Sequence, residues 1–170
     1  MKTIAVIRGA RGDEVQDLFD ALVVRWRPSA RVAGVLAEGH GLADRACSAG
    51  YLRSIATGAR FAIFQDLGAG SQECHLEGGG ALGAAEAVKR DIAAGCDLVL
   101  LSKFGKLEAS GQGLRGAFAA AIEAHVPLLT SVSRPFEAAW NEFAEPLSEF
   151  LPAHPAAIDN WWRSVRPAPH

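Results

Sequence analysis

The 170-residue chain has few cysteines, only Cys47, Cys74 and Cys96. None is spaced as CxxC, and an odd total without an export signal excludes a disulfide framework, so reduced thiols in a cytoplasmic protein are expected. Cys74 and His75 lie beside Glu73 and Glu77, but no second ligand pair stands nearby at structural-zinc spacing, so no metal site is expected. Long apolar runs are missing too. Residues 98–101 and 126–129 are far shorter than a bilayer span, so no membrane insertion is expected. Lys2 is followed by too short an apolar stretch before Arg8 to form a secretory signal. Charge of one sign is equally scarce. Seventeen Lys and Arg against nineteen Asp and Glu leave a net charge of −2, which speaks against nucleic acid or an anionic membrane surface as partner.

What is present suits one α/β domain. Apolar residues are 49% and charged residues 21% of the chain, enough to bury a core. The order of patterns predicts a single domain over residues 1–152, a β-rich insert at about 50–77 and a C-terminal helical tail over 153–170. Residues 2–7 read as a strand ending at a glycine loop. Val15, Leu18, Phe19, Leu22, Val23 and Trp26 then recur at helical spacing, with Asp13 as the expected N-cap. A second strand covers 31–36. Two β-like runs, 51–57 and 60–65, flank Gly58-Ala59 as a hairpin, extended by 73–76. Leu82, Ala85, Val88 and Ile92 mark a helix that stops at Gly95, and residues 97–101 form a central aliphatic strand. A helix around Leu114, Phe118, Ala121 and Ile122 follows, then a strand over 127–132. One more amphipathic helix runs from Phe136 to Leu147. The tail carries Trp161 and Trp162, which either pack on the core or form an interface for a protein partner or a homo-oligomer.

In an open parallel sheet, ligands bind beyond the carboxyl ends of the strands, where helix N-termini present free N–H groups. The segments leaving the three main strands carry Arg8, Gly9, Arg11 and Gly12; Ser102, Lys103 and Lys106; and Ser131, Ser133 and Arg134. Five cations on one rim of an acidic chain suit a small anionic ligand, a phosphate or another oxyanion. The alternative is ion pairing with Asp13, Glu108 and Glu137 on the same rim. The glycine loop is not a Walker motif: residues 9–14 are too short, lack the Lys and Ser/Thr, and place two carboxylates where phosphate oxygens would lie. His40, His125 and His154 lie in separate loops, and no nucleophile elbow supports covalent hydrolase chemistry.

The segments 97–108 (DLVLLSKFGKLE), 65–70 (QDLGAG) and 130–134 (TSVSR) resemble an uncharacterised bacterial family often encoded beside molybdate-transport genes, over about residues 2–150. More distantly, the order of elements is similar to small nucleoside-triphosphatases of the P-loop fold. The resemblance implies a three-layer α/β fold with a mostly parallel sheet and a small antiparallel β insert. Where those enzymes end the central strand on an Asp-Glu pair, this chain has Ser102 and Lys103. Hydrolysis needs phosphate positioning and magnesium together, and the residues for both are replaced here.

Three functions follow. The first is a non-hydrolysing binding or regulatory protein that holds a nucleotide phosphate or an oxyanion such as molybdate. The second is an unconventional hydrolase or phosphotransferase in which Lys103 neutralises phosphoryl charge and Asp13 or Glu108 recruits magnesium. The third is an adaptor acting through the C-terminal aromatic segment.

Overall fold

In a computed structural model, residues 2–8, 11–39, 49–63 and 78–168 are described. The unbroken apolar stretch at residues 4–7 is buried on both faces and forms β1 (Ile4–Arg8), followed by α1 (Gly12–Trp26), β2 (Val32–Gly39) and a hairpin of β3 (Ala49–Ser54) and β4 (Arg60–Ala62). Then come α2 (Gly78–Ala94), β5 (Leu98–Phe104), α3 (Lys106–Ala109), α4 (Arg115–Glu123) and β6 (Leu128–Val132). A 3-10 turn (Arg134–Phe136), α5 (Glu137–Ala144), β7 (Ser148–Pro152) and α6 (Pro155–Val165) complete the order. The sheet runs β4-β3-β2-β5-β6-β1-β7. Its β2-β5-β6-β1-β7 part is parallel, and the β3–β4 hairpin pairs antiparallel on β2.

Helices cover both faces, giving the expected three layers. Phe19, Leu22 and Trp26 of α1 and Ile158, Trp161 and Trp162 of α6 share one core. Ala84 and Val88 of α2, Phe118 of α4 and Trp140 of α5 build the other. In that second core, ring centroids of Phe104 and Trp140 are 5.2 Å apart and those of Phe104 and Phe118 5.5 Å, both edge-on, the geometry that aromatic quadrupoles favour. Gly34, with φ +125°, lets β2 approach β5 so closely that a Cβ there would lie 1.8 Å from the Leu100 carbonyl oxygen. Cys96 packs at the edge of the larger core, and its burial pushes the thiol up to about 11.

Four expectations change. α1 starts one residue before Asp13: Arg11 holds the N-cap position, and its N–H donates to Glu14 Oε2 at 3.3 Å. The helix expected from Phe136 to Leu147 stops at Ala144, because Glu145 precedes Pro146 and turns extended; Leu147 is 47% exposed. Beyond it lies the unexpected β7, which pairs with β1 from Ile4↔Ser148 to Arg8↔Pro152. The central strand runs on to Phe104, so Ser102 and Lys103 belong to β5 rather than to the loop after it. Finally, Trp161 and Trp162 are 0% and 4% exposed and offer no aromatic surface to a partner. Trp161 Nε1 donates to the Lys2 carbonyl at 2.8 Å, while Asp159 accepts from Trp26 Nε1 at 2.9 Å and pairs with Arg25 at 2.6 Å. The strand expected at 73–76, the metal-like pair Cys74 and His75, and most of the segment from Gly39 to Gly50 fall outside the described residues. Among those described, no helix is long and apolar enough to cross a membrane.

Candidate functional site

β6 lies between β1 and β5, so the carboxyl ends of these three strands stand side by side. A cavity of about 750 Å³ opens there. β1 and the start of α1 supply Arg8, Arg11 and Gly12; β5 supplies Lys103; β6 and the turn after it supply Ser131, Ser133 and Arg134. Residues from three distant parts of the chain thus meet at one edge. Gly9 lies outside the described residues. Ser102 and Lys106 do not line the cavity. Ser102 is 2% exposed, and Lys106 opens the four-residue helix α3.

A bulge in β5 determines where Lys103 goes. Leu101 pairs with Thr130 and Phe104 with Val132, so three steps on β5 match two on β6. Leu101 and Phe104 consequently join the same core, which strict alternation would forbid, and the intervening Lys103 is exposed at the cavity. The Ser102 carbonyl, freed from the ladder, accepts from Ser131 Oγ at 2.7 Å and from Gln16 Nε2 at 3.3 Å. Gln16 Oε1 in turn accepts the Ala37 N–H at 3.3 Å. Sequence reasoning missed Gln16, because its partners are 21 and 86 positions away.

The cations are held differently. Arg11 pairs with Asp13 at 3.5 Å, as the ion-pairing alternative expects, and also with Glu14 at 3.3 Å, which it did not include. Arg8, Lys103 and Arg134 form no ion pair among the described residues. The Arg8 guanidinium instead lies 4.3 Å from the centroid of the Phe150 ring, a contact made possible by β7 and therefore invisible without it. Stacked there, Arg8 keeps its N–H edges for oxygen acceptors.

Glu108 does not face the cavity. It is 7% exposed, and its two oxygens accept the N–H groups of Gly105 at 3.0 Å and Leu114 at 3.1 Å. Burial pushes this carboxyl above its ordinary range, against the opposing pull of those donors. Gly113, with φ +61°, leaves room for it: a Cβ there would sit 2.0 Å from Glu108 Oε2. Glu108 thus ties together the segment after β5 and is not placed to recruit magnesium, which corrects the expectation made for it. Asp13 does not line the cavity either and lies against Arg11. Among the described residues no group of three His, Cys, Asp or Glu side chains could hold a metal ion.

A 109-residue stretch, 64% of this chain, is 38% identical to the molybdenum import ATP-binding protein ModC 2 of Bradyrhizobium diazoefficiens. That stretch is 12% of the relative's own length. The likeness and the layered, mostly parallel sheet together give a P-loop-like architecture. No solved structure matches the chain. A family model matches residues 4–161, covering every described strand from β1 to β7, and the chain belongs to the family described as protein of unknown function, DUF2478.

Proposed function

We propose that this protein is a binding or regulatory protein that holds an anionic ligand at the carboxyl edge of β1, β5 and β6 without hydrolysing it. The ligand is the phosphate of a nucleotide or an oxyanion such as molybdate. The observation that carries the reading is that Arg8, Lys103 and Arg134 line one cavity with no carboxylate paired to them among the described residues. Such cations, beside the first turn of α1, attract negative charge both directly and through the helix dipole. The name of the 38% identical relative joins molybdenum import to ATP binding, so both ligand types are kept.

Loss of hydrolysis is supported by chemistry at two places. The loop after β1 lacks the Walker Lys and Ser/Thr, and Ser102 and Lys103 stand where the metal-holding and the water-orienting acid would be needed. Thermal-shift titration with ATP, GTP, phosphate, sulfate, molybdate and tungstate, each with and without magnesium, tests the reading. A ligand that binds only the folded state raises the melting temperature. Stabilisation by at least one anion without magnesium is expected. No shift with any of them would overturn the proposal, and magnesium-dependent phosphate release lost in Lys103→Ala would replace it with a hydrolase.

A further inference from the structure

The cavity is lined by two carboxylates as well as by cations: Glu14 and Glu137. Glu14 is engaged, with Oε1 at 3.3 Å from Arg11 Nε and Oε2 accepting the Arg11 N–H at 3.3 Å. Glu137 is not. Half-buried in the first turn of α5, it forms no ion pair and no side-chain hydrogen bond among the described residues. An ionised carboxylate can only accept hydrogen bonds. Sulfate, molybdate and tungstate are fully deprotonated near neutral pH and present only acceptor oxygens, so Glu137 repels them. A phosphate that keeps one O–H can donate it to Glu137 while its other oxygens face Arg8, Lys103 and Arg134.

We infer that Glu137 makes the cavity selective for inorganic hydrogen phosphate over fully deprotonated oxyanions. The inference rests on the proposed anion site and narrows it: the carboxylate acts as a discriminator, by accepting one proton-bearing group and opposing every tetrahedral anion without one.

Isothermal titration of the full chain and of Glu137→Gln with inorganic phosphate, ribose 5-phosphate, sulfate and molybdate is the test. For the unaltered protein, inorganic phosphate should bind at least about tenfold tighter than sulfate or molybdate. Ribose 5-phosphate, a monoester that keeps no O–H above its second pKa of about 6, should group with sulfate, and an ester bound as tightly as phosphate above that pH would overturn the inference. Glu137→Gln replaces the negative charge by an amide that can donate, so sulfate and molybdate should gain about tenfold and the preference should collapse. Molybdate or sulfate binding as tightly as phosphate in the unaltered protein would overturn the inference. So would a preference left intact in Glu137→Gln. Absence of binding by every anion would instead overturn the proposed function on which it stands.

Discussion

Lys103 and Glu108, five positions apart, do opposite things with charge. The Lys103 ammonium is exposed at the cavity and its pull on the buried Glu108 carboxyl is the weakest of the influences there, so Lys103→Ala should leave the stability of the free protein within about 0.5 kcal/mol. Loss of one charge-assisted hydrogen bond should weaken anion binding about tenfold to a hundredfold. Urea denaturation and calorimetric titration of the same samples check both halves. Glu108 is instead buried, with its carboxyl raised above the ordinary value chiefly by desolvation. The folded state therefore holds its proton more firmly than the unfolded chain does. Its contribution to stability is complete below the unfolded value and is lost as pH rises through the higher folded one. Glu108→Gln removes this titration. The stability of the unaltered protein relative to the variant should thus decline as pH climbs across the weakly acid range, measured by urea midpoints. A constant difference would show that Glu108 does not titrate higher in the fold.

Among the elements, the β2–β5 pairing depends most on one residue. A methyl group at Gly34 would collide with backbone, not with a yielding side chain, and the φ of +125° is one that other residues rarely adopt. Gly34→Ala should cost at least about 3 kcal/mol, seen as a lower denaturation midpoint or loss of the folded protein. Helix α6 is held to α1 by the buried Asp159 between Trp26 and Arg25. Asp159→Ala leaves the Trp26 indole N–H without its partner and should cost about 1–3 kcal/mol in the same measurement. Much at this scale was legible in the sequence: the apolar runs of β1, β5 and β6 and the stripes of α1, α2 and α4 are local patterns. β7 was not, because SEFLP follows Pro146 with half-buried side chains and Leu147 falls in phase with the preceding helical stripe. The bulge was not legible either, since a register shift is a property of two strands and neither strand encodes it alone. Hence the rim of cations could be foreseen, while the burial of Ser102, the departure of Lys106 and the bracing by Gln16 and Phe150 could not.

For the molecule as a whole, the net charge of −2 makes the cationic cavity a local feature against an opposing background. Attraction of a small anion to it should therefore be sensitive to ionic strength. Raising salt to about 0.15 M shortens the screening length to about 8 Å, and affinity for inorganic phosphate should fall several-fold over that range. Affinity unchanged by salt would mean that charge does not drive binding.

The stacking of Arg8 on Phe150 joins the first strand of the sheet to the last. During synthesis on the ribosome, Arg8 emerges long before the aromatic ring that steadies it, and β1 stays a bare edge until β7 docks. A nascent or proteolysed chain ending before Ser148 therefore has every cation of the cavity yet lacks the brace for one of them, so ligand capture by this route is a property gained only when the fold closes.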